Sequence, residues 1–328
     1  MTSLLLPLLA LLPAAHGQAP SNFLAEAASA VTTLQRQWYM AGAGGSWVGR
    51  GPGAGTGMFD TCTKNASQSC KCNGDQGNWG RANIIEALCS YQIASRSRDF
   101  DEAIAASWPN VGFEINAAAP FDCDPDAGGP GSDQAMPHGD PGWPYYDDIL
   151  WWAMAYLRAA DMYAGRGETA QAADSVAKSA AIFDHVAARA WNGTAAACGG
   201  GIWWSTGNGY KNAIANELFF AAAAKLGKTD WATKVWTWFK ASGMINSQSL
   251  VNDGLSSAGG GDCKNNGHET YTYNQGVILG GLVWLHKLTG DTQLLLQGAD
   301  IIDAVLGLLT DSNGVLLEAY SCGDQVGP

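Results

Sequence analysis

The chain has 328 residues, of which 47% are hydrophobic and only 15% are charged, and its formal net charge is −12. This apolar content is enough for one large core, or at most for two domains. Because so acidic a chain repels phosphate backbones, nucleic acid is excluded as an expected partner and a neutral substrate is favoured.

The first residues have the pattern of an export signal. The apolar run Leu4–Leu12 is too short to span a bilayer, and the small residues Ala15 and Gly17 follow it. We expect residues 1–17 to be a signal peptide and residues 18–328 to form a single domain. A membrane anchor is the alternative, which the short run disfavours. The expected protein is therefore secreted, extracellular and without membrane contact after cleavage, and association with a cell wall is a further option.

Cysteines and sequons are consistent with export. All eight cysteines follow the signal segment, and an even count in an exported chain predicts up to four disulfides, whose pairing stays open. The sequons that begin at Asn65 and Asn192 predict N-glycosylation in a eukaryotic host. The segment from Asp122 to Asp126 is similar to the start of a calcium loop, but Ala127 and Asp133 replace the glycine and glutamate that such a loop requires. We therefore expect no metal.

Apolar residues at helical spacing, separated by Gly-rich loops, predict an all-α protein. The segment 149–160 is apolar on nearly every side, whereas 168–189 has a polar face, so the first belongs inside and the second outside. Short links such as Thr289-Gly290-Asp291 predict antiparallel hairpins. An α/α toroid satisfies both patterns, and a simple helical bundle is the alternative. The expected helices cover residues 23–38, 80–96, 99–107, 146–164, 168–190, 210–226, 229–242, 270–289 and 291–309.

The acids Asp147 and Asp148 enter the first turn of the most apolar of these helices. Acids in a first turn often serve only as partners of the helix dipole. Here the helix offers almost no polar face, and a glycoside hydrolase needs two carboxyl groups at one centre, one as acid and one as nucleophile or base. Repulsion between the two would raise one pKa while the helix N-terminus stabilises the other anion. The pair is therefore a candidate catalytic site.

The cluster Tyr146-Asp147-Asp148 with Trp151-Trp152 resembles the catalytic motif of glycoside hydrolase family 76, the endo-α-1,6-mannanases. A second block runs over 200–205 and 211–217, and a third over 271–276. Trp79 and Asn83 are similar to an early helix of the family. The resemblance implies an (α/α)₆ barrel, retaining hydrolysis of α-mannan with Asp147 as nucleophile and Asp148 as acid/base, and no cofactor.

The resemblance also implies a set of side chains that face the sugar. Asparagine and glutamine suit this role because their amides donate and accept at once, although each also serves commonly in loops and caps. Tryptophans stack on sugars, but core packing is an equal alternative. The expected substrate-binding residues are Trp79, Asn83, Tyr146, Trp151, Trp203, Trp204, Lys211, Asn212, Asn216, Tyr273, Asn274 and Gln275.

In one respect the chain departs from the family pattern. About nine helices are expected, whereas a ring of six hairpins needs twelve, so the sequence indicates a barrel that is truncated at its C-terminus. Such a ring would expose apolar helix faces. We expect the protein to be a monomer. The alternatives to a hydrolase are a mannan transglycosylase of cell-wall assembly and an inactive, mannan-binding truncated product.

Overall fold

The computed structural model describes residues 20–40, 58–59, 77–107, 145–194, 198–255, 263–267 and 269–318. Within these ranges each of the nine predicted helices is present, with bounds within three residues of those expected. Two short strands, β1 (Tyr39–Met40) and β2 (Met58–Phe59), pair in antiparallel fashion. The helices are α1 (Pro20–Trp38), α2 (Gly77–Ser95), α3 (Asp101–Ser107), α4 (Tyr146–Gly165), α5 (Thr169–Ala190), α6 (Ala213–Lys225), α7 (Thr229–Ser242), α8 (Thr272–Thr289) and α9 (Gln293–Leu308).

Some predictions lie outside the described residues. These are the signal peptide, the sequon at Asn65 and the calcium-like segment from Asp122. None of the helices in the described ranges is long and apolar enough to cross a membrane.

The helices form an inner and an outer layer. In α6, every residue from Ala213 to Ala224 is buried, whereas α5 and α7 each bury a single stripe. Consecutive helices pack as hairpins, α4 with α5, α6 with α7 and α8 with α9, while α2, α4, α6 and α8 contact one another in succession. This is the arrangement that the apolar and amphipathic patterns predicted, with the apolar helices inside.

The inner helices run parallel. Near their C-terminal ends, the Gln92 amide of α2 contacts the sulfur of Met162 in α4 at 3.2 Å. Lys225 of α6 binds Asp161 of α4 at 2.6 Å, and its ammonium also lies 5.3 Å from the ring centroid of Trp284 in α8. Because all four helices meet at their C-terminal ends, their N-termini must lie together at the opposite end.

One glycine permits the close packing of two inner helices. A Cβ atom at Gly281 in α8 would stand 2.3 Å from the Phe220 ring in α6. Only glycine fits at such an approach, since no side chain tolerates that distance.

Exposed apolar side chains are numerous around α9 and the segment that follows it. The contrast with α6 is marked, because α6 is buried on every side. The exposed residues are Leu296, Leu306, Leu308, Val315, Leu316 and Leu317.

A disulfide joins Cys198 to Cys263 and so links the loop before α6 to the loop before α8. Cys89 is buried in α2 with a free thiol. Of the eight cysteines, this leaves five for further pairing, all outside the described residues. The prediction of disulfides is therefore confirmed, but four pairs are not compatible with the free Cys89, and three is the maximum.

Candidate active site

The carboxylate pair lies at the N-terminal end of the inner helices. Asp147 and Asp148 occupy the first turn of α4, where both are partly buried. The backbone amide of Tyr146 donates to the carbonyl of Trp204 at 2.8 Å, and Tyr145 forms an isolated bridge with Ser205. This pairing of the helix start with the 202–205 segment brings the indole of Trp204 to Asp147.

Three donors hold the Asp147 carboxylate. The indole Nε1 of Trp204 donates to Oδ2 at 3.0 Å, and Nδ2 of Asn212 donates to the same oxygen at 3.3 Å. The backbone amide of Asp148 donates to Oδ1 at 3.1 Å. Both oxygens therefore accept hydrogen bonds, and the orientation of the group is fixed.

Burial raises the pKa of Asp147 to about 6, and the donors from Asn212 and Trp204 oppose that rise. The physical reason is that a carboxylate loses solvation when it is buried, while hydrogen bonds to the anion recover part of that loss. At neutral pH the group is therefore mostly ionised, but it holds a proton far more readily than an exposed aspartate does.

Asn212 links the site to α6. Its Oδ1 accepts from the backbone amide of Ala215 at 3.3 Å and so caps the helix, while its Nδ2 donates to Asp147. One amide thus caps one inner helix and holds the carboxylate at the start of its neighbour.

A second polar cluster lies beside Trp204 and was not anticipated from the sequence. The Tyr210 ring lies 6.1 Å from the Trp204 ring, and its hydroxyl donates to Asp253 at 2.5 Å and accepts from Asn266 at 2.8 Å. Burial and Asp253 raise the pKa of Tyr210. Asp253 had no sequence signal beyond an Asn-Asp-Gly turn, because its partner lies 43 residues away.

Tyr273 reaches the same region from α8. Its ring is 41% exposed and stacks on Tyr271 with centroids 5.1 Å apart. Burial of the hydroxyl raises its pKa, with smaller contributions from the charges of Asp253 and Asp147. Tyr273 is therefore close enough to both carboxylates to be influenced by them, with an open face for a ligand.

Two predicted sugar-binding amides are buried and bind backbone groups. Asn216 is fully buried, its Oδ1 accepts from the amide of Ile202 at 2.8 Å, and its Nδ2 donates to the carbonyls of Ile202 and Asn212. Gln275 is 3% exposed and binds the amide and carbonyl of Val251 in the same way, each at 2.8 Å. Through these bonds they fasten two loops to the inner helices, and their contact with substrate stays a prediction.

Lys211 and Asn274 also differ from expectation. Lys211 is 2% exposed and donates to the carbonyls of Cys198 and Gly200, with its ammonium 4.5 Å from the Trp203 ring centroid. Burial lowers its pKa to about 8. Asn274 is fully buried, and its amide has no hydrogen-bond partner among the described residues. Neither side chain presents a surface to a sugar in this structure.

The aromatic predictions divide between the core and the site. Tyr146 is 4% exposed, whereas Trp151 and Trp203 are partly buried. Trp151 packs against the main core, and Trp203 lies under Lys211. Trp204, in contrast, donates a hydrogen bond to Asp147.

Trp79 and Asn83 lie in the first half of α2. Trp79 is 39% exposed and Asn83 is partly buried. Because α2 runs parallel to α4, both lie at the end of the inner helices that carries Asp147. Their contact with substrate stays a prediction.

Glu217 is a further buried acid beside this region. It follows Asn216 in α6, is fully buried, and neither of its oxygens has a hydrogen-bond partner among the described residues. Burial raises its pKa well above the ordinary value. A carboxyl group in such surroundings is held in its neutral form.

Proteins of known sequence show where this chain belongs. Residues 56–326 match the sequence model described as glycosyl hydrolase family 76. A putative mannan endo-1,6-alpha-mannosidase of Schizosaccharomyces pombe is 29% identical over 45% of this chain and 35% of its own length. Mannan endo-1,6-alpha-mannosidase DCW1 of Saccharomyces cerevisiae is 32% identical over 54% of this chain and 41% of its own. The matched parts thus span well under half of these relatives.

Solved structures show the same fold. Dfg5 of Chaetomium thermophilum, in complex with glucosamine, superposes with a TM-score of 0.65 at 18% identity over 94% of this chain and 69% of its own. An inactive α-1,6-mannanase variant of Salegentibacter sp., in complex with α-1,6-mannotriose, superposes with a TM-score of 0.62 at 17% identity over 88% and 72%. The predicted α/α-barrel class is confirmed, and the chain belongs to glycosyl hydrolase family 76.

Proposed function

We propose that the chain is a retaining, endo-acting hydrolase of α-1,6-linked mannan, with Asp147 as nucleophile and Asp148 as general acid and base. The observation that carries the proposal is the fixed Asp147 carboxylate, held by Trp204 and Asn212 at the mouth of the inner helices.

The hydrogen bonds favour the nucleophilic role for Asp147. A general acid needs a proton directed at the leaving oxygen, whereas a nucleophile needs a positioned anion. Both oxygens of Asp147 accept from donors, so the ionised form is the one these neighbours favour. Its raised pKa marks a carboxylate with incomplete solvation, which is a more reactive nucleophile than an exposed one.

The relatives support both the substrate and the acid pair. Matched relatives bear the name mannan endo-1,6-alpha-mannosidase. The Salegentibacter variant described as inactive carries asparagine at two consecutive aspartates. Asp147 and Asp148 are consecutive aspartates of this chain at the N-terminus of an inner helix.

The reaction then has two steps. A carboxylate oxygen of Asp147 attacks the anomeric carbon, the bond to the leaving O6 breaks, and Asp148 gives its proton to that oxygen. Asp148 next takes a proton from water, the water oxygen attacks the same carbon, and the bond to Asp147 breaks. Two inversions release a product with the original anomeric configuration.

The test is hydrolysis of linear α-1,6-mannan, with the first-formed anomer followed by NMR. Asp147→Asn should abolish turnover of every substrate. Asp148→Asn should lower turnover of mannan by about 10²–10⁴-fold. With an aryl mannoside, whose leaving group needs no proton, the first step should stay fast while the second is slowed, so a burst of released phenol should precede slow turnover. Asp303→Asn, at an exposed position of α9, is the matched control. Inverted product, or full turnover by Asp147→Asn, would contradict the proposal.

The setting follows from the same proposal. The substrate is a neutral polysaccharide, which suits a chain with a net charge of −12, and we place the protein as a monomer outside the cell. Addition of a mannan acceptor to the same assay distinguishes hydrolysis from transglycosylation, since transfer would lengthen the acceptor. A mannan-binding protein without activity would bind the polymer but release no reducing ends.

A further inference from the structure

A concave surface lies on the loop between α7 and α8. It has a volume of about 950 Å³, is open to solvent, and is lined by positions within 243–252 and 265–270. This volume falls in the ~300–1,000 Å³ range of small-molecule sites. We call it the amide pocket, because Asn246, Gln248, Asn252 and Asn265 are among its lining residues.

The chemistry of the amide pocket suits a neutral, hydroxyl-rich ligand. Besides the amides, its polar lining consists of the hydroxyls of Ser247 and Thr270 and the carboxyl of Glu269. No lysine or arginine lies among the lining residues, so nothing there favours a phosphate or another anion. Amides and hydroxyls donate and accept at once, which is what sugar hydroxyls require.

The floor of the amide pocket is preorganised. Nδ2 of Asn246 donates to Oδ1 of Asn252 at 2.8 Å, and Nδ2 of Asn265 donates to the same oxygen at 3.0 Å. Oδ1 of Asn246 also accepts the backbone amides of Gln248 and Leu250. A surface whose geometry is fixed in advance loses little conformational entropy when a ligand binds.

The rim of the amide pocket is different. Ser247 and Gln248 are exposed, and their side chains make no hydrogen bond within the part of the chain that the structure describes. The three asparagines therefore hold the loop, while these two side chains have donors and acceptors to offer to a ligand.

The amide pocket adjoins the candidate active site. Asn252 contacts Asn246 and Asn265 on the pocket side, while the next residue, Asp253, contacts Tyr210 on the active-site side. On the other wall, Thr270 precedes the stacked pair Tyr271 and Tyr273. Three residues span at most about 11 Å, so the pocket edge lies within that distance of Tyr273 along the backbone.

We infer that the amide pocket is an outer binding site for a remote part of a neutral polysaccharide whose scissile bond lies at Asp147. The inference rests on the proposed function. A short oligosaccharide would fill the active site alone, whereas a longer one would cross the 251–254 wall and also engage Ser247 and Gln248. The pocket would then make binding depend on chain length.

The test compares two probes, linear α-1,6-mannotriose and α-1,6-mannohexaose, by calorimetric titration of the Asp147→Asn protein. The hexaose should bind more tightly, and Gln248→Ala or Ser247→Leu in that background should weaken hexaose binding about two- to tenfold while leaving triose binding unchanged. Gln171→Ala, at an exposed position of α5, is the matched control.

Other results would overturn the inference. Unchanged hexaose binding in both pocket variants would do so, as would equal weakening of both probes. Turnover by the unsubstituted protein separates the two claims. If it cleaves α-1,6-mannan without a length preference that depends on Gln248, the amide pocket is not a subsite; if it cleaves neither probe nor the polymer, the proposed function fails and the inference with it.

Discussion

Replacement of Asp147 by asparagine should stabilise the protein at neutral pH. Burial raises the pKa of this carboxyl from 3.8 to about 6 in the folded state. An acid whose pKa is higher in the folded than in the unfolded state does not affect stability at low pH, where both states are protonated. As the pH rises from the unfolded-state pKa to the folded-state pKa, the unfolded state ionises first and the free energy of unfolding falls. Because a tenfold change in proton affinity is worth about 1.4 kcal/mol, the full loss is about 3 kcal/mol.

Asparagine cannot ionise, so the variant avoids this loss. Its unfolding free energy, relative to the unsubstituted protein, should increase by about 2 kcal/mol between pH 4 and pH 7. The substitution also has effects that do not depend on pH, such as a weaker hydrogen bond from Trp204. These effects are the same at pH 4 and pH 7, so they cancel when the two values are subtracted.

Urea denaturation of both proteins at the two pH values measures the effect. Asp303→Asn, on the exposed face of α9, should show no comparable change with pH. A stability difference for Asp147→Asn that stays constant between pH 4 and pH 7, or shrinks, would refute the assignment of Asp147 as a buried, costly anion.

Three other expectations can be measured directly. Glu217→Gln should gain stability over the unsubstituted protein as the pH rises above about 4.5, since burial raises the pKa of Glu217; urea denaturation with no gain at neutral pH would contradict this. Lys211→Met should lower the unfolding free energy by about 2–4 kcal/mol, because it removes a buried ammonium that donates to the carbonyls of Cys198 and Gly200; an unchanged urea midpoint would show that the ammonium is dispensable. Asn192 should stay unglycosylated, because it is 8% exposed and its Nδ2 donates to the carbonyl of Cys198; a glycopeptide at this sequon in mass spectra of the protein expressed in a eukaryotic host would disprove it.

The sequence predicted the helices well because their signal is local. Residues 213–224 are apolar with few exceptions, and the structure buries all of them. The layering followed from the same pattern, since a helix without a polar face has to lie inside. The contact of Asn212 with Asp147 also fits the expectation that both belong to one site.

The other amides show where sequence reasoning stopped. Asn216 binds a backbone 14 residues away and Gln275 one 24 residues away, and residue type does not reveal whether an amide serves a loop or a ligand. The same limit applies to Asp253, whose phenolic partner comes from a different loop. Such pairings depend on the tertiary path of the loops, which local periodicity does not encode.

The hydrogen bonds from Asn216 to Ile202 and from Gln275 to Val251 bear on where the loops of this protein tolerate insertions and deletions. Each amide holds one loop residue against its inner helix. Residues added or deleted elsewhere in the same loop therefore leave that contact in place. Insertions would then remodel these loops while the helices of the barrel stay intact. If the proposed function holds, insertions designed to alter substrate specificity should therefore be placed away from Ile202 and Val251, for example at the 246–249 turn.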